Sequence, residues 1–537
     1  MKLHRLANKF WVLAVALVAL LAGNLHPISS LAVATMADDE PAAVAALTLD
    51  QFNTNGTQGI YENLGIADYL QYLQVLGAAQ PLNNVVVAVV DSGIDAAHPL
   101  FRGHILEQYA VNFCTRYQND RSEIYRNGLT AADWGQDDNG HGTHVAGLIA
   151  NGSLSNVQIL PIRIFGGAEN QLGYGALEDA LQYILALRRG TAVKLDGVWY
   201  NNGHTKLNIV AANLSLGTRG ILVSAEQLAE NTRSDYQKYI TSLCNNRILP
   251  IVAAGNISTK QNEDNQKEYY SYPAACYGAL AVSAYDYYQL AGDNYSPLLA
   301  NFSYHNPMIS LSAPGQNIWS ACTSAITEQL AQYDHYDYQD DGGTYTIYGE
   351  LTADHKITEQ YVVRQDADGN YYLRLRGTSM AAPLVTLSYV LLMSDPNRTT
   401  GNAQADAQAL NLQSWDQATD QAQPYYYMNP QHKALLLAAA KYRDYGELSN
   451  DTLYGYGGVY VKCFAYQPET TNNTNQLTNK PAAEVLTPHV ATPVYSTTDA
   501  DQDFQTVFWI LAGIVVAVIA ISAVRSYWEV RRGQRHE

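Results

Sequence analysis

The sequence predicts an α/β fold in which a central, mostly parallel sheet lies between layers of helix. Three observations carry that reading. Short apolar runs rich in β-branched residues recur along the chain, each about the length of one buried strand. Longer stretches with helical spacing fall between them, the alternation that builds a parallel sheet covered on both faces. Three glycine-flanked stretches, each built around a chemically active side chain, follow or open these elements.

The elements follow in order. Residues 1–34 read as a secretory signal. Lys2, Arg5 and Lys9 make a basic start, and Phe10 to Gly23 is apolar but short for a membrane span. Ala32-Val-Ala34 offers a cleavage site, with Thr35-Met-Ala37 the next candidate. An N-terminal arm, 35–61, then leads into one large domain, 62–465. Asp68 to Leu76 is expected as a helix ahead of the first strand. Val85–Val90, Gln158–Ile164, Leu207–Asn213, Leu249–Ala253 and Ala279–Ser283 read as buried strands. Gly142–Ala150, Ala176–Arg188 and Ala225–Cys244 read as helices, and Met380 to Met393 as a buried one. Residues 466–506 are rich in Thr, Asn and Pro and read as an extended tether. Residues 507–524 carry no charge and, at about 18 residues, are just long enough for a transmembrane helix. Trp509 and the pair Tyr527 and Trp528 suit its two interfaces. Arg525, Arg531, Arg532 and Arg535 follow and place the tail, 525–537, on the cytoplasmic side. The expected topology is a single-pass cell-membrane protein with its large domain outside.

Composition narrows the partners. The chain has 537 residues, 47% of them hydrophobic, enough for a sizeable core. Its net charge of −18 argues against nucleic acid. Its 40 tyrosines cluster at Tyr333 to Tyr348 and Tyr425 to Tyr427, and read as loop aromatics at sheet edges. Cys114, Cys244, Cys276, Cys322 and Cys463 are odd in number, so at least one lacks an intrachain disulfide. Cys244 and Cys276 are the first pair to test, in a compartment where disulfides form.

Three motifs carry the chemistry. Val-Val-Asp-Ser-Gly-Ile-Asp surrounds Asp91, Asn-Gly-His-Gly-Thr-His-Val-Ala-Gly surrounds His141, and Gly-Thr-Ser-Met-Ala-Ala-Pro surrounds Ser379. The order acid, base, nucleophile is one of three by which unrelated folds build a hydrolytic triad. A serine hydroxyl needs a neighbouring imidazole to take its proton, and the imidazole needs a carboxylate to fix its tautomer. Asp91 follows a strand, and open α/β sheets keep functional groups at the carboxyl ends of strands. Ser379 opens a helix, whose N-terminus favours a developing negative charge. Gly140 and Gly142 permit tight turns around the base, and Gly377 a sharp turn into Ser379. Pro383 sits in the early helix, where a missing N–H is tolerated.

These stretches resemble those of the subtilisin-like serine proteases, over roughly residues 62 to 465. The resemblance implies a subtilisin-like three-layer fold and a serine endopeptidase acting through an acyl-enzyme on Ser379. It assigns Asp91 as acid, His141 as base and Asn256, in Ile251-Val-Ala-Ala-Gly-Asn256, as oxyanion-hole donor. Loss of such a donor costs roughly two to three decades in turnover in this family. The resemblance implies that His144 and Asp95, near neighbours of the base and the acid, are structural. It places the walls of the primary specificity pocket at Ser215, Leu216 and Gly217 and at Ala253, Ala254 and Gly255, with Ser271 at the base. A small polar base implies uncharged or apolar side chains before the scissile bond.

Four departures accompany the resemblance. The segment Asn151 to Asn156 is short, so the common calcium loop is expected to be absent and no cofactor required. About 55 residues separate the cleavage site from Asp91, too few for the usual folded pro-domain. Leu384 to Ser388 replace the family's usual residues after Pro383. Residues 323–371 form an acidic, tyrosine-rich insert in which Tyr361–Gln365 and Tyr371–Leu375 flank a turn, Asp366 to Asn370, as a hairpin. The insert reads equally as an attractor of basic substrates near the cleft and as a solvated decoration. Signal, domain, tether and terminal helix together resemble the architecture of the mycosins of type VII secretion systems. That likeness implies a protein or peptide substrate and membrane secretion-complex subunits as partners. It leaves open a mainly structural role with secondary proteolysis.

Overall fold

The computed structural model describes residues 59–113, 135, 137–166, 175–195, 197–218, 235–257, 268–289, 295–340, 343–351, 357–397 and 451–465, with scattered positions between 432 and 445. The signal stretch, most of the arm, the tether, residues 507–524, the tail, Cys114 and Tyr425 to Tyr427 lie outside them. Among the described residues no helix is long and apolar enough to cross a membrane.

The main sheet contains β1 (Val85–Asp91), β2 (Val111–Asn112), β3 (Val157–Arg163), β6 (Ile209–Leu214), β7 (Leu249–Ala253), β8 (Leu280–Gln289), β9 (Tyr295–Leu299) and β10 (Ile309–Pro314). A small hairpin, β4 (Val193–Leu195) and β5 (Val198–Tyr200), stands apart from it. Seven strands run parallel in the order β10-β8-β7-β6-β1-β3-β2, and β9 adds antiparallel to β8. Both faces of β1 are buried, as its unbroken apolar run requires. Val85, Val87 and Val89 face one core with the helices His141–Asn151 and Thr378–Ser394. Val86, Ala88 and Val90 face the other, with Ala176–Arg189 and Asp235–Asn245. Period-two alternation thus divides one strand between two helical layers. From β1 the chain runs to β2 beyond β3, and after β3 it crosses back past β1 to β6, so the strand order reverses beside β1, where open α/β sheets form their crevice at the carboxyl ends.

The domain is ordered from further upstream than the arm 35–61 allows. Ile60 and Tyr61 are buried in the helix Ile60–Asn63, and the Tyr61 hydroxyl donates to the Leu148 carbonyl at 2.6 Å. The two ends of the domain also meet. The Val461 N–H donates to the Leu64 carbonyl at 2.9 Å, and Phe464 packs edge-on to Tyr69 in the helix Ile66–Ala79.

The insert supplies three strands of a second sheet, whose other two strands flank it. β11 (Ile318–Cys322), β12 (Asp334–Asp340), β13 (Gly343–Leu351), β14 (Ile357–Gln365) and β15 (Tyr371–Leu375) pair antiparallel in the order β11-β15-β14-β13-β12. The expected hairpin is its β14–β15 pair, with Gln365 opposite Tyr371. Asp366 caps that turn, accepting from the Asp368 and Asn370 N–H groups and from the Asn370 amide. Its carboxylate is therefore occupied by its own turn.

A solvated decoration does not describe this sheet. Leu373, Val363 and Tyr361 enter the core shared with the helix His141–Asn151. The opposite face buries Trp319, Tyr345, Ile347, Val362 and Tyr372. Arg364 lies over both the Tyr345 and Tyr372 rings, at 5.6 and 5.8 Å from their centroids. Of the tyrosines expected at sheet edges, Tyr345 and Tyr348 are core residues, Tyr333 is half-buried and Tyr336 on β12 is exposed. The polar, tyrosine-rich pattern hid them because one buried arginine is shared by two rings.

Candidate active site

Asp91 ends β1 and His141 opens the next major helix. Their approach depends on Gly142: a Cβ there would lie 2.1 Å from the Gly93 carbonyl oxygen and 3.1 Å from Asp91 Oδ1. With glycine in place, Asp91 Oδ1 accepts from His141 Nδ1 at 2.7 Å and from the Ser92 N–H at 2.8 Å. Both side chains are buried, the imidazole only 9% exposed. A carboxylate can only accept, so the His141 proton sits on Nδ1 and Nε2 keeps its lone pair. Burial pulls this imidazole down, but the Asp91 charge and hydrogen bond, with Asp137 behind them, raise it overall above the ordinary 6.5.

Asp137 is a partner that motif reading missed. Its Oδ1 accepts from the Ser92 hydroxyl at 2.8 Å and the Gly140 N–H at 2.9 Å. Its Oδ2 accepts from the Thr143 N–H at 2.8 Å and from the Thr143 hydroxyl. It therefore caps the first turn of the base helix, whose leading N–H groups lack intrahelical partners. The Ser92 hydroxyl in turn accepts from the Gly142 N–H at 2.8 Å. One buried carboxylate thus ties the acid turn to the base helix. An aspartate shortly before a helical run was its sequence signal.

His144 lies on the same helix with the opposite tautomer. Its Nε2 is 3.0 Å from both the Ile318 and Leu373 carbonyls, so Nε2 carries the hydrogen. Its Nδ1 is buried without a partner. This ring joins the base helix to the insert sheet and offers no site for a substrate proton. Burial pulls it down to about 3, against weaker support from the two carbonyls. Above pH 6.5 the folded and unfolded chains both hold it neutral. Below 6.5 the unfolded chain takes up a proton that the folded chain refuses until about pH 3, so stability falls through that window. We expect His144 to cost about 2 kcal/mol between pH 7 and pH 5. Urea unfolding of wild type and His144→Gln at both pH values checks this, since Gln keeps a donor and removes the titration. An equal pH effect in both proteins would refute it.

Ser379 occupies the second position of its helix and is partly exposed. Its hydroxyl donates to the Ser215 carbonyl at 3.2 Å. Its own carbonyl accepts from the Ser215 hydroxyl at 2.8 Å. The second bond corrects the reading of Pro383. Pro383 lies four residues after Ser379, where an N–H would have bonded the Ser379 carbonyl, so its absence is felt. Ser215, just past β6, supplies the missing donor. The Asn213 amide donates to the Ser215 hydroxyl at 3.0 Å, and the Thr386 hydroxyl donates to Asn213 Oδ1 at 2.7 Å. The departure after Pro383 therefore supplies a buried threonine that anchors the strand beneath the nucleophile.

Asn256 follows β7. Its Oδ1 accepts from the Thr378 N–H at 3.0 Å and the Thr378 hydroxyl at 3.1 Å. A backbone N–H can only donate, so the atom it meets is the oxygen and the amide orientation is settled. The Nδ2 group is left facing the turn before Ser379. Gly377, at φ 148°, leaves room for it: a Cβ there would lie 3.2 Å from Asn256 Nδ2. An amide donor thus stands beside the nucleophile turn with its hydrogens unspent.

The pocket residues divide. Leu216, Gly217 and Gly255 reach the surface, and Ser215 is held under Ser379. Ser271 is buried, and its hydroxyl donates to the Thr218 carbonyl at 2.7 Å. Ala253 and Ala254 are only 2% and 1% exposed and face opposite cores. They support β7 rather than forming a wall, because the strand is covered on both faces up to Gly255. Asp95 belongs to the acid turn, its N–H donating to the Thr143 hydroxyl at 3.0 Å. Cys244 and Cys276, the pair to test first, are not joined by a disulfide. The Cys244 thiol donates to the Gly278 carbonyl at 3.4 Å, and burial pushes it up to about 12. Among the described residues no group of His, Cys, Asp or Glu is placed to hold a metal.

Residues 83–457 match the family model described as Peptidase S8, subtilase family. The chain belongs to the subtilase family. This subtilase is 26% identical over 347 residues to fervidolysin of Fervidobacterium pennivorans, covering 62% of this chain and 39% of the relative. It is 27% identical over 250 residues to the major intracellular serine protease of Bacillus subtilis (strain 168), covering 44% of this chain and 60% of the relative. The matches therefore span less than two thirds of either relative. Among solved structures, a lanthipeptide protease is similar at a TM-score of 0.42 and 17% identity, over 76% of this chain and 94% of that one.

Proposed function

We propose that this subtilase is a membrane-anchored, extracytoplasmic serine endopeptidase that cleaves peptide bonds through an acyl-enzyme on Ser379. The observation that carries the reading is the Nδ1–H bond from His141 to Asp91 at 2.7 Å, which leaves Nε2 with its lone pair, the form a general base requires. In this reading the Ser379 hydroxyl leaves the Ser215 carbonyl and gives its proton to Nε2 as Oγ attacks the substrate carbonyl. The imidazolium that forms is stabilised by Asp91. The oxyanion receives the Asn256 Nδ2 donor and the field of the helix N-terminus. His141 then returns the proton to the leaving amine, and a water repeats the sequence to free the acid.

The anchor rests on the uncharged stretch 507–524 and the arginines after it. Neutral pocket surroundings at Leu216, Gly217 and Ser271 favour uncharged or apolar side chains before the scissile bond. Catalysis by this geometry calls for no metal. The mycosin-like architecture supports a place beside membrane secretion-complex subunits.

One experiment tests enzyme and anchor together. Membranes from cells expressing the full chain are treated with a fluorophosphonate, from which Ser379 Oγ displaces fluoride. The expected label maps to Ser379 and stays in the pellet after an alkaline carbonate wash. Well-folded protein that takes no label sinks the enzyme reading, and label released by the wash sinks the anchor.

A further inference from the structure

Asp137 is 2% exposed, and its carboxylate accepts five hydrogens. Three come from the backbone N–H groups of Asn139, Gly140 and Thr143, which can only donate. The other two come from hydroxyls that already accept elsewhere. Ser92 Oγ accepts from the Gly142 N–H at 2.8 Å, and Thr143 Oγ1 from the Asp95 N–H at 3.0 Å. Both turn their own hydrogens to Asp137. All five partners donate, which fits an ionised carboxylate, since that form can only accept. Burial raises Asp137 above its ordinary 3.8, opposed by the Thr143, Ser92 and Gly140 donors.

Ser92 stands between two buried carboxylates. Its N–H donates to Asp91 Oδ1 at 2.8 Å, and its hydroxyl to Asp137 Oδ1 at 2.8 Å. With that hydroxyl on Asp137, Asp91 Oδ2 is buried without a hydrogen-bond partner. Asp91 therefore shares its charge with little besides the His141 Nδ1–H. From Gly140, bonded to Asp137 Oδ1 at 2.9 Å, the chain passes directly into His141, which keeps the second anion within about 10 Å of the ring. The other ionisable groups nearby are engaged or neutral. Asp95 accepts from the Ala97 N–H, and Arg163, opposite Asp91 on β3, is bound to Asp138. Burial keeps the Cys322 thiol of β11 protonated, and His144 is neutral. Against burial, which pulls His141 down, Asp91 and then Asp137 support the protonated ring.

We propose that Asp137 is a positioning residue, a second buried anion that acts on His141 and steadies the imidazolium formed when Ser379 gives up its proton. The inference rests on the protease reading above and deepens it. A unit charge within about 10 Å, at an effective dielectric of about 20, favours a cation by roughly tenfold or more. That help is realised in the transition state, where the ring becomes a cation, and not in the resting neutral ring. The proton moves only between Ser379 Oγ, Nε2 and the leaving amine, and Asp137 takes none.

The test is the pH profile of peptide cleavage by the full chain, in wild type, Asp137→Asn and Ser92→Ala. Asp137→Asn should lower kcat about tenfold and move the acid limb of kcat/KM to lower pH, because the ring loses a charge that holds its proton. Loss of the helix cap alone would reduce the folded fraction and scale the whole profile without moving its limb. Ser92→Ala keeps both carboxylates, so its limb should stay at or above the wild-type position. An Asp137→Asn limb that does not move overturns the proposal. A limb that falls in Ser92→Ala does the same, since the hydroxyl and not the Asp137 charge would then set the ring. That second arm decides by itself where Asp137→Asn does not fold. Wild type that cleaves no peptide would instead overturn the protease reading and this inference with it.

Discussion

Ser379→Ala is expected to lower peptide turnover by about six decades, the largest effect of any single change in this chain. The argument is structural. Ser379 is partly exposed at the head of a buried helix, and its main chain is held by the Ser215 hydroxyl. Alanine removes Oγ and leaves that anchor in place, because Ser215 binds the carbonyl and not the side chain. The variant should therefore fold, bind peptide and stall. What remains is the acceleration that the oxyanion donors and binding supply alone, roughly three to four decades over water. Steady-state cleavage of an unmodified peptide by wild type and Ser379→Ala checks it. A loss below about a hundredfold, far from the range for removed nucleophiles, would mean that another group attacks.

Asp91→Asn is expected to cost about four decades in kcat while leaving the fold intact. Asp91 Oδ1 accepts both the His141 Nδ1–H and the Ser92 N–H. An amide of the same shape can donate to Nδ1, which moves the imidazole hydrogen to Nε2 and removes the base. The pH profile should also change. In wild type the Asp91 carboxylate helps hold His141 above its ordinary range, so the acid limb of kcat/KM should lie above pH 6.5. Without that charge burial is less opposed, and the limb should move to lower pH. A variant that loses activity with no movement of the limb would place Asp91 outside the proton path.

The places of Asp91, His141 and Ser379 in the fold were legible because each lies where a regular element begins or ends. The apolar run of β1 announced its own burial and placed Asp91 at its carboxyl end. The residues that tie these elements together were harder to read. Asp137 and Thr386 act through buried hydrogen bonds to groups far along the chain, and no local period marks such a pairing. Ala253 and Ala254 misled for the opposite reason. They precede the exposed Gly255 directly, yet the strand's two covered faces claim both of them. The insert showed one hairpin of a five-stranded sheet. Its remaining strands are polar enough to pass for loops, since Arg364 and the tyrosines satisfy one another inside it.

The Ser379 hydroxyl at rest against the Ser215 carbonyl has a kinetic corollary. An idle enzyme of this form holds its own trigger on a latch worth one ordinary hydrogen bond, about 1 kcal/mol. Release by a turn about a single side-chain bond would slow attack by no more than about fivefold. Such a catch would quiet stray reactivity between encounters, and an arriving peptide would undo it merely by competing for the same oxygen.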